Sequence, residues 1–291
     1  MTPTKNINHT KNERKWYLPS NDQIFKLLWR LNPRLLAKFI LAIINSISSD
    51  ELEPLLFFDT EQQVAINAKL TRLDIQVCTK LGTMINIEMQ NRSNKFFPVR
   101  VTVYLSQNIA SQREKEYGLF KKVINLSVAN YIHFSDDDNP VHSINLREKC
   151  FCKSFTDIME IYIFETLKAK NGPSDDPLTA WGKFFSAKTR EDCMEAAQLN
   201  QDVEQAFMVV DLLNMDDRSR ALAEAEERIN LDKLDAYKEG EENGIKIGEV
   251  IKQENIARNL LKVNIPIHLI VQTTGLSKEE VESLKTKENV G

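Results

Sequence analysis

The sequence predicts an α/β protein, with a mixed central sheet flanked by helices and a helical C-terminal region after it. Segments with strand periodicity are confined to residues 55–165. Segments with apolar residues at i, i+3 and i+4 lie on both sides of that stretch. Glycine is 9 of 291 residues, about half the usual share, which disfavours many-turned all-β designs.

Taken in order, residues 1–19 read as a loose polar tail. Ser20-Asn21-Asp22-Gln23 has the form of a capping box, so a helix begins there, with Phe25, Leu28 and Trp29 on its apolar side. Asn32-Pro33 starts a second helix carrying Leu35, Leu36, Phe39, Ile40 and Ile43. Residues 55–58 form a short apolar strand candidate. In residues 71–90, Leu73, Ile75, Val77, Ile85, Ile87 and Met89 alternate with Arg72, Asp74, Gln76, Cys78, Asn86, Glu88 and Gln90. Two period-2 segments joined through Lys80-Leu81-Gly82 predict a hairpin with one apolar and one polar face. A helix is expected over residues 97–117, then strands over 123–128, 141–146 and 158–164, with an acidic loop at 135–140. The loop 171–177 is the clearest break. Beyond it come a helix over 178–187, a long charged helical stretch from 190 to about 250, and a short helical tail.

Composition excludes several classes. Net charge is -4, which excludes a uniformly basic nucleic-acid coat but not a local basic groove. No apolar run is long enough to span a bilayer, and the N-terminus has no signal core. Cys78, Cys150, Cys152 and Cys193 form no C-x-x-C pair, so reduced thiols are expected. Cys150 and Cys152 have the spacing of two ligands on one strand face, but no partner pair completes a zinc set. A cytoplasmic location without membrane attachment follows as the expectation. No Gly-rich phosphate loop, HExxH or GxSxG is present.

The hairpin carries the chemistry. If its turn centres on Leu81, Asp74 opposes Glu88 and Arg72 opposes Gln90, with Cβ atoms about 4.5–5.5 Å apart. Two opposed carboxylates repel, and a divalent cation such as Mg²⁺, which takes carboxylate oxygens, would offset that repulsion. Gln90 shares their face and can hold a water or contact a phosphate. The plainer reading is an exposed polar sheet face on which Arg72 neutralises the acids.

The segment TRLDIQVCTKLGTMINIEMQ resembles the core of the PD-(D/E)XK nuclease superfamily. More narrowly, it is similar to the Rpn recombination-promoting nucleases, the PD-(D/E)XK nuclease family transposases. Asp22 to Leu28 resembles the family's D-x-x-F-K-x-L helix. Arg100, Tyr104, Gln112 and Tyr117 fall where its R…YY…Q…Y helix has them. Asn171 to Trp181, the glycines 240, 244 and 248, and residues 256–284 resemble its later segments. The resemblance implies a restriction-endonuclease-like fold and Mg²⁺-dependent DNA endonuclease activity, with Mn²⁺ as a substitute metal. It assigns catalysis to Asp74, Glu88 and Gln90, and metal binding to Asp74, Glu88 and the backbone carbonyl of Met89. Asp22, Lys26, Arg100 and Tyr104 are supporting candidates. Helix-dipole compensation by Asp22 and ordinary packing of Arg100 and Tyr104 are the alternatives. Gln90 stands where many relatives have Lys, so a catalytically inactive DNA-binding or oligomerising module is the competing function.

Gly240, Gly244 and Gly248 lie on one helix stripe and suit close approach of another helix, so a homodimer or higher oligomer through the C-terminal helices is expected. The tail resembles a helix-turn-helix, but Glu279, Glu280 and Glu282 favour protein contact over DNA reading. His133 and His142 flank the acidic loop at Asp136–Asp138, which could bind a metal adventitiously; a solvated loop is the expectation. The expected organisation is a tail (1–19), a nuclease-like domain (20–190), a helical extension (191–252) and a small helical unit (253–291).

Overall fold

The computed structural model describes residues 15–52, 55–58 and 75–288. The chain divides into two compact units, Met1–Glu226 and Glu227–Gly291.

The first unit begins with α1 (Asp22–Leu31) and α2 (Pro33–Ile43). Ile24, Phe25, Leu28 and Trp29 form the buried side of α1. Its cap is Asn21, one residue later than the expected Ser20. The Asn21 side-chain oxygen accepts from the amides of Gln23 at 3.1 Å and Ile24 at 3.2 Å, so one carboxamide satisfies two free donors of the first turn.

The strands are β1 (Leu56–Phe57), β2 (Ile75–Cys78), β3 (Met84–Gln90), β4 (Val123–Ala129), β5 (Val141–Arg147) and β6 (Ser154–Glu165). They form one six-stranded sheet among the described residues, ordered β1-β2-β3-β4-β6-β5. β3, β4 and β6 run parallel, and the other neighbours are antiparallel. The β2–β3 pairs run from Ile75↔Ile87 to Cys78↔Met84, the register of a turn centred on Leu81. Gly82 closes that turn at φ +90°, a conformation that side chains with a Cβ resist.

Alternation divides the sheet. Ile75, Val77, Ile85, Ile87, Met89, Ile124, Leu126 and Val128 join the main core with α1 and α2. This core includes Trp29 stacked on Phe39, with ring centroids 4.9 Å apart. The opposite face lies under α3 (Phe97–Ala110), which contributes Phe97, Val101 and Leu105 to a smaller core with Val123, Ala129, Tyr131 and Ile163. This helix ends earlier than expected. The Gln112 side chain clamps Lys121, donating to its carbonyl at 2.9 Å and accepting from its amide at 2.7 Å, which turns the chain back toward β4.

After β6 come α4 (Thr166–Ala169), α5 (Pro177–Ser186), α6 (Arg190–Ala197), α7 (Gln201–Met215) and α8 (Asp217–Lys262). The expected single helical stretch from residue 190 is thus three helices. Asn200 caps α7 by accepting from the amides of Asp202 and Val203, and Asp216 accepts from the Ser219 amide at the start of α8.

The second unit holds the rest of α8, α9 (Ile267–Thr274) and α10 (Lys278–Glu288) around Ala257, Ile270, Leu276, Val281 and Leu284. The unit boundary lies inside α8, which also passes through residue 252. A Cβ added at Gly240, Gly244 or Gly248 would meet no atom within 4 Å. Among the described residues no helix is long and apolar enough to cross a membrane.

Candidate active site

Every second residue of β3 faces α3. Met84, Asn86, Glu88 and Gln90 therefore lie beside the same-face residues of β4, in the pairs Asn86↔Asn125, Glu88↔Ser127 and Gln90↔Ala129. Both β3 and β4 end here, so Glu88 and Gln90 sit at the carboxyl ends of parallel strands. In open α/β sheets that edge is where ligands collect.

Glu88 is 6% exposed. Its Oε1 accepts from Ser127 Oγ at 3.0 Å and from Asn125 Nδ2 at 3.4 Å. Its Oε2 accepts from Gln90 Nε2 at 2.8 Å. Gln90 Oε1 in turn accepts from Arg100 Nη2 at 2.5 Å, and that guanidinium nitrogen lies 3.8 Å from Glu88 Oε2. The Gln90 amide thus links a carboxylate to a cation supplied by α3. Where a Lys would place charge directly on the strand, this chain places it one hydrogen bond away.

The same face is short of hydrogen-bond partners deeper in. Among the described residues, Gln76 Oε1, both polar side-chain atoms of Asn86, Asn125 Oδ1 and the Tyr131 hydroxyl are buried without one. Gln76, Asn86 and Asn125 form a row across β2, β3 and β4. Burial holds the Tyr131 phenol above its usual pKa; nearby Arg100 opposes this, while Glu88 and Glu165 reinforce it. Tyr131 therefore stays a neutral O–H donor.

The remaining expected site residues distribute as follows. Asp74 lies outside the described residues. The Met89 side chain belongs to the apolar face, so its backbone separates Glu88 from Gln90. Tyr104 is buried one turn after Arg100. Asp22 and Lys26 are half-buried on the first turns of α1. Asn91 Nδ2, just past β3, donates to the Ser20 carbonyl at 2.6 Å and ties the start of α1 to this strand end. Among the described residues no three His, Cys, Asp or Glu side chains form a metal-binding group.

Glu165 and Lys168, not singled out in the sequence, complete the strand edge. Glu165, at the end of β6, is fully buried. It accepts from the amides of His133 and Phe134, from His142 Nε2 at 3.0 Å and from Lys168 Nζ at 2.7 Å. Burial raises its pKa, but these hydrogen bonds and the Lys168 charge outweigh it and hold the carboxyl below the ordinary range. The acidic loop at Asp136–Asp138 is exposed, as expected, but His142 beside it is held on the Glu165 carboxylate with its side chain 15% exposed. The available signal was the i, i+3 pair Glu165/Lys168 at a strand end. Cys150 and Cys152 sit in the β5–β6 turn rather than on a strand, and both are exposed and free. The Glu148 carboxylate accepts from the amides of Cys150 and Phe151 and shapes that turn.

A mixed sheet flanked by helices, with an acidic residue and an amide two apart at a parallel strand end, is the frame of a nuclease-like α/β domain. The family model described as PD-(D/E)XK nuclease family transposase matches residues 19–240, and the chain belongs to that family. Comparison with curated proteins and with solved structures gives no significant match.

Proposed function

We propose that this protein is a Mg²⁺-dependent DNA endonuclease of the recombination-promoting, transposase-like type. The observation that carries the reading is the Glu88–Gln90–Arg100 chain at the carboxyl end of β3. Membership of a nuclease family supports it.

The donors suit a hard cation. The buried Glu88 carboxylate shares its face with the carboxamide oxygens of Gln76, Asn86 and Asn125, which have no hydrogen-bond donor among the described residues. Asp74, Glu88 and the Met89 carbonyl would hold Mg²⁺, or Mn²⁺ in its place. When bound, such an ion polarises the phosphate and makes its water a stronger nucleophile.

The chain's own groups do the rest. Gln90, fixed between Glu88 and Arg100, orients a water through its amide. Arg100 balances the charge that develops on the phosphate, the part a motif Lys would otherwise take. Tyr131 offers a neutral hydroxyl as a further donor. Lys26, on the helix tied to this edge through Ser20 and Asn91, reaches for the flanking phosphate.

The test is nicking of supercoiled plasmid with Mg²⁺, with EDTA, and by Asp74→Ala and Glu88→Ala proteins. Metal-dependent nicking lost in both variants is the expected result. A folded wild type that nicks nothing in Mg²⁺ or Mn²⁺ leaves the inactive binding module as the function. Nicking that survives both substitutions places the site elsewhere.

A further inference from the structure

Between Gln90 and Arg100, at the mouth of this edge, the chain makes an exposed loop and the first turn of α3. From residue 91 to residue 113 there is no Asp or Glu, while Arg92, Lys95, Arg100 and Arg113 carry four positive charges. The whole chain has a net charge of -4, so this segment is a local cationic strip on an acidic protein. Arg92 and Lys95 are exposed, and neither forms an ion pair among the described residues.

Set among these cations is Phe96, 62% exposed although it is a large aromatic. The Lys95 ammonium lies 5.0 Å from its ring centroid. The Asn94 side chain accepts from the Phe96 amide at 2.8 Å, and the Phe97 amide donates to the Asn94 carbonyl at 3.0 Å. These bonds fix the backbone that presents the ring. Phe96 caps α3 one turn before Arg100, about 6 Å along the helix axis. Phe97, its neighbour, turns the other way and is buried.

We propose that Phe96, with Arg92 and Lys95, is a stacking platform for an unpaired DNA base beside the scissile phosphate. The protein would then prefer locally opened or single-stranded DNA to intact duplex. This rests on the nuclease reading for the placement of the phosphate. Exposed cations beside an exposed ring match the two needs of an unpaired strand, phosphate neutralisation and a flat apolar surface for the base. A paired base keeps its faces stacked on its neighbours and gains nothing from Phe96. A purely apolar partner would gain nothing from Arg92 and Lys95.

The test is fluorescence anisotropy in Ca²⁺ with three labelled oligonucleotides: a duplex, the same duplex with a central unpaired bubble, and the single strand. The wild type is expected to bind the bubble and the single strand about tenfold more tightly than the duplex. Phe96→Ala removes that preference and leaves duplex affinity unchanged, and Phe96→Trp keeps it. Arg92→Ala and Lys95→Ala weaken all three and flatten the salt dependence. Circular dichroism melts confirm that each variant is folded.

The inference fails if the wild type shows no preference, if Phe96→Ala keeps it, or if Phe96→Ala loses only binding to phosphatidylglycerol vesicles. Plasmid nicking runs alongside and separates the two ideas. A preference that depends on Phe96 in a protein that nicks nothing retains the base platform, overturns its placement beside a scissile phosphate, and defeats the nuclease reading. Glu88-dependent nicking without the preference does the reverse.

Discussion

The two faces of the central sheet are built from alternate residues of the same strands and obey different rules. Toward α1 and α2, β3 presents Ile85, Ile87 and Met89, and β4 presents Ile124, Leu126 and Val128, all in one apolar core. Toward α3 the same strands present Asn86, Glu88, Gln90, Asn125 and Ser127, also buried or nearly so. Burial is thus similar while chemistry is opposite. An apolar face stabilises in proportion to the area it removes from water. A buried polar face costs free energy wherever an amide lacks a partner, as at Asn86. The first face holds the fold; on the proposed function, the second is kept for chemistry at the expense of stability.

The largest expected effect lies on the apolar side. Phe39→Ala removes a fully buried ring that touches Trp29, Trp181, Phe185 and Phe164. It should cost about 3–5 kcal/mol and lower the melting temperature by about 10 °C. If it melts like the wild type, the apolar face is not what holds this unit together.

A similar loss is expected at Glu165, whose charge on the polar face is fully enclosed. Glu165→Ala leaves the enclosed Lys168 ammonium with only the more exposed Asp137 carboxylate, 3.5 Å away, and should cost about 3 kcal/mol. Because the Glu165 pKa is depressed on folding, its contribution is complete above the unfolded value of about 4.3. It is lost as pH falls through the lower folded value. The Lys168 pKa is raised: burial lowers it, but Glu165 and, more weakly, Asp137 together outweigh that. That contribution is complete below the unfolded value of about 10.4 and is lost as pH rises through the folded one. Urea midpoints should therefore fall on the acid side once pH drops below about 4.3, and Glu165→Gln should flatten that acid limb. An unchanged acid limb would remove Glu165 as the anchor of the loop after β4.

Next in size is the cation beside the site. Arg100→Ala should lower plasmid nicking about a hundredfold with a change in melting temperature of only a few degrees. Gln90→Lys in that background should restore part of the rate, because it returns charge to the strand. Failure of Lys to rescue would mean that Arg100 orders α3 rather than balancing charge.

The division into faces was legible in the sequence, because strict alternation over residues 75–90 has one meaning for a paired hairpin, and the register between β2 and β3 follows from the turn at Leu81. Glu88 and Gln90 were legible on the same ground, while Asp74 lies outside the described residues. The donors that hold Glu88 were not. Ser127 and Asn125 come from a strand about forty positions away, in a parallel register that no local pattern encodes. Arg100 was legible as a candidate, but not its bond to Gln90. The breaks between α6, α7 and α8 had local signals in Asn200 and Asp216, which were outweighed by the continuous charge pattern around them.

The smallest expected effect is the sharpest test of the contrast between the faces. Asn86 is 1% exposed, and neither its side-chain oxygen nor its nitrogen has a partner among the described residues. Leu has the same number and branching of side-chain heavy atoms, with bulkier methyl ends, and no polar atoms to desolvate. On a face selected for stability, Asn86→Leu would be the better residue, and thermal melts should show a gain of about 1 kcal/mol. On a face kept for chemistry, the same change should slow nicking, because it removes a polar group two residues from Glu88. Both outcomes together would mean that stability is given up at this position for activity. A gain in stability with no loss of rate would reduce Asn86 to a tolerated imperfection and confine the functional part of the face to Glu88, Gln90 and Arg100.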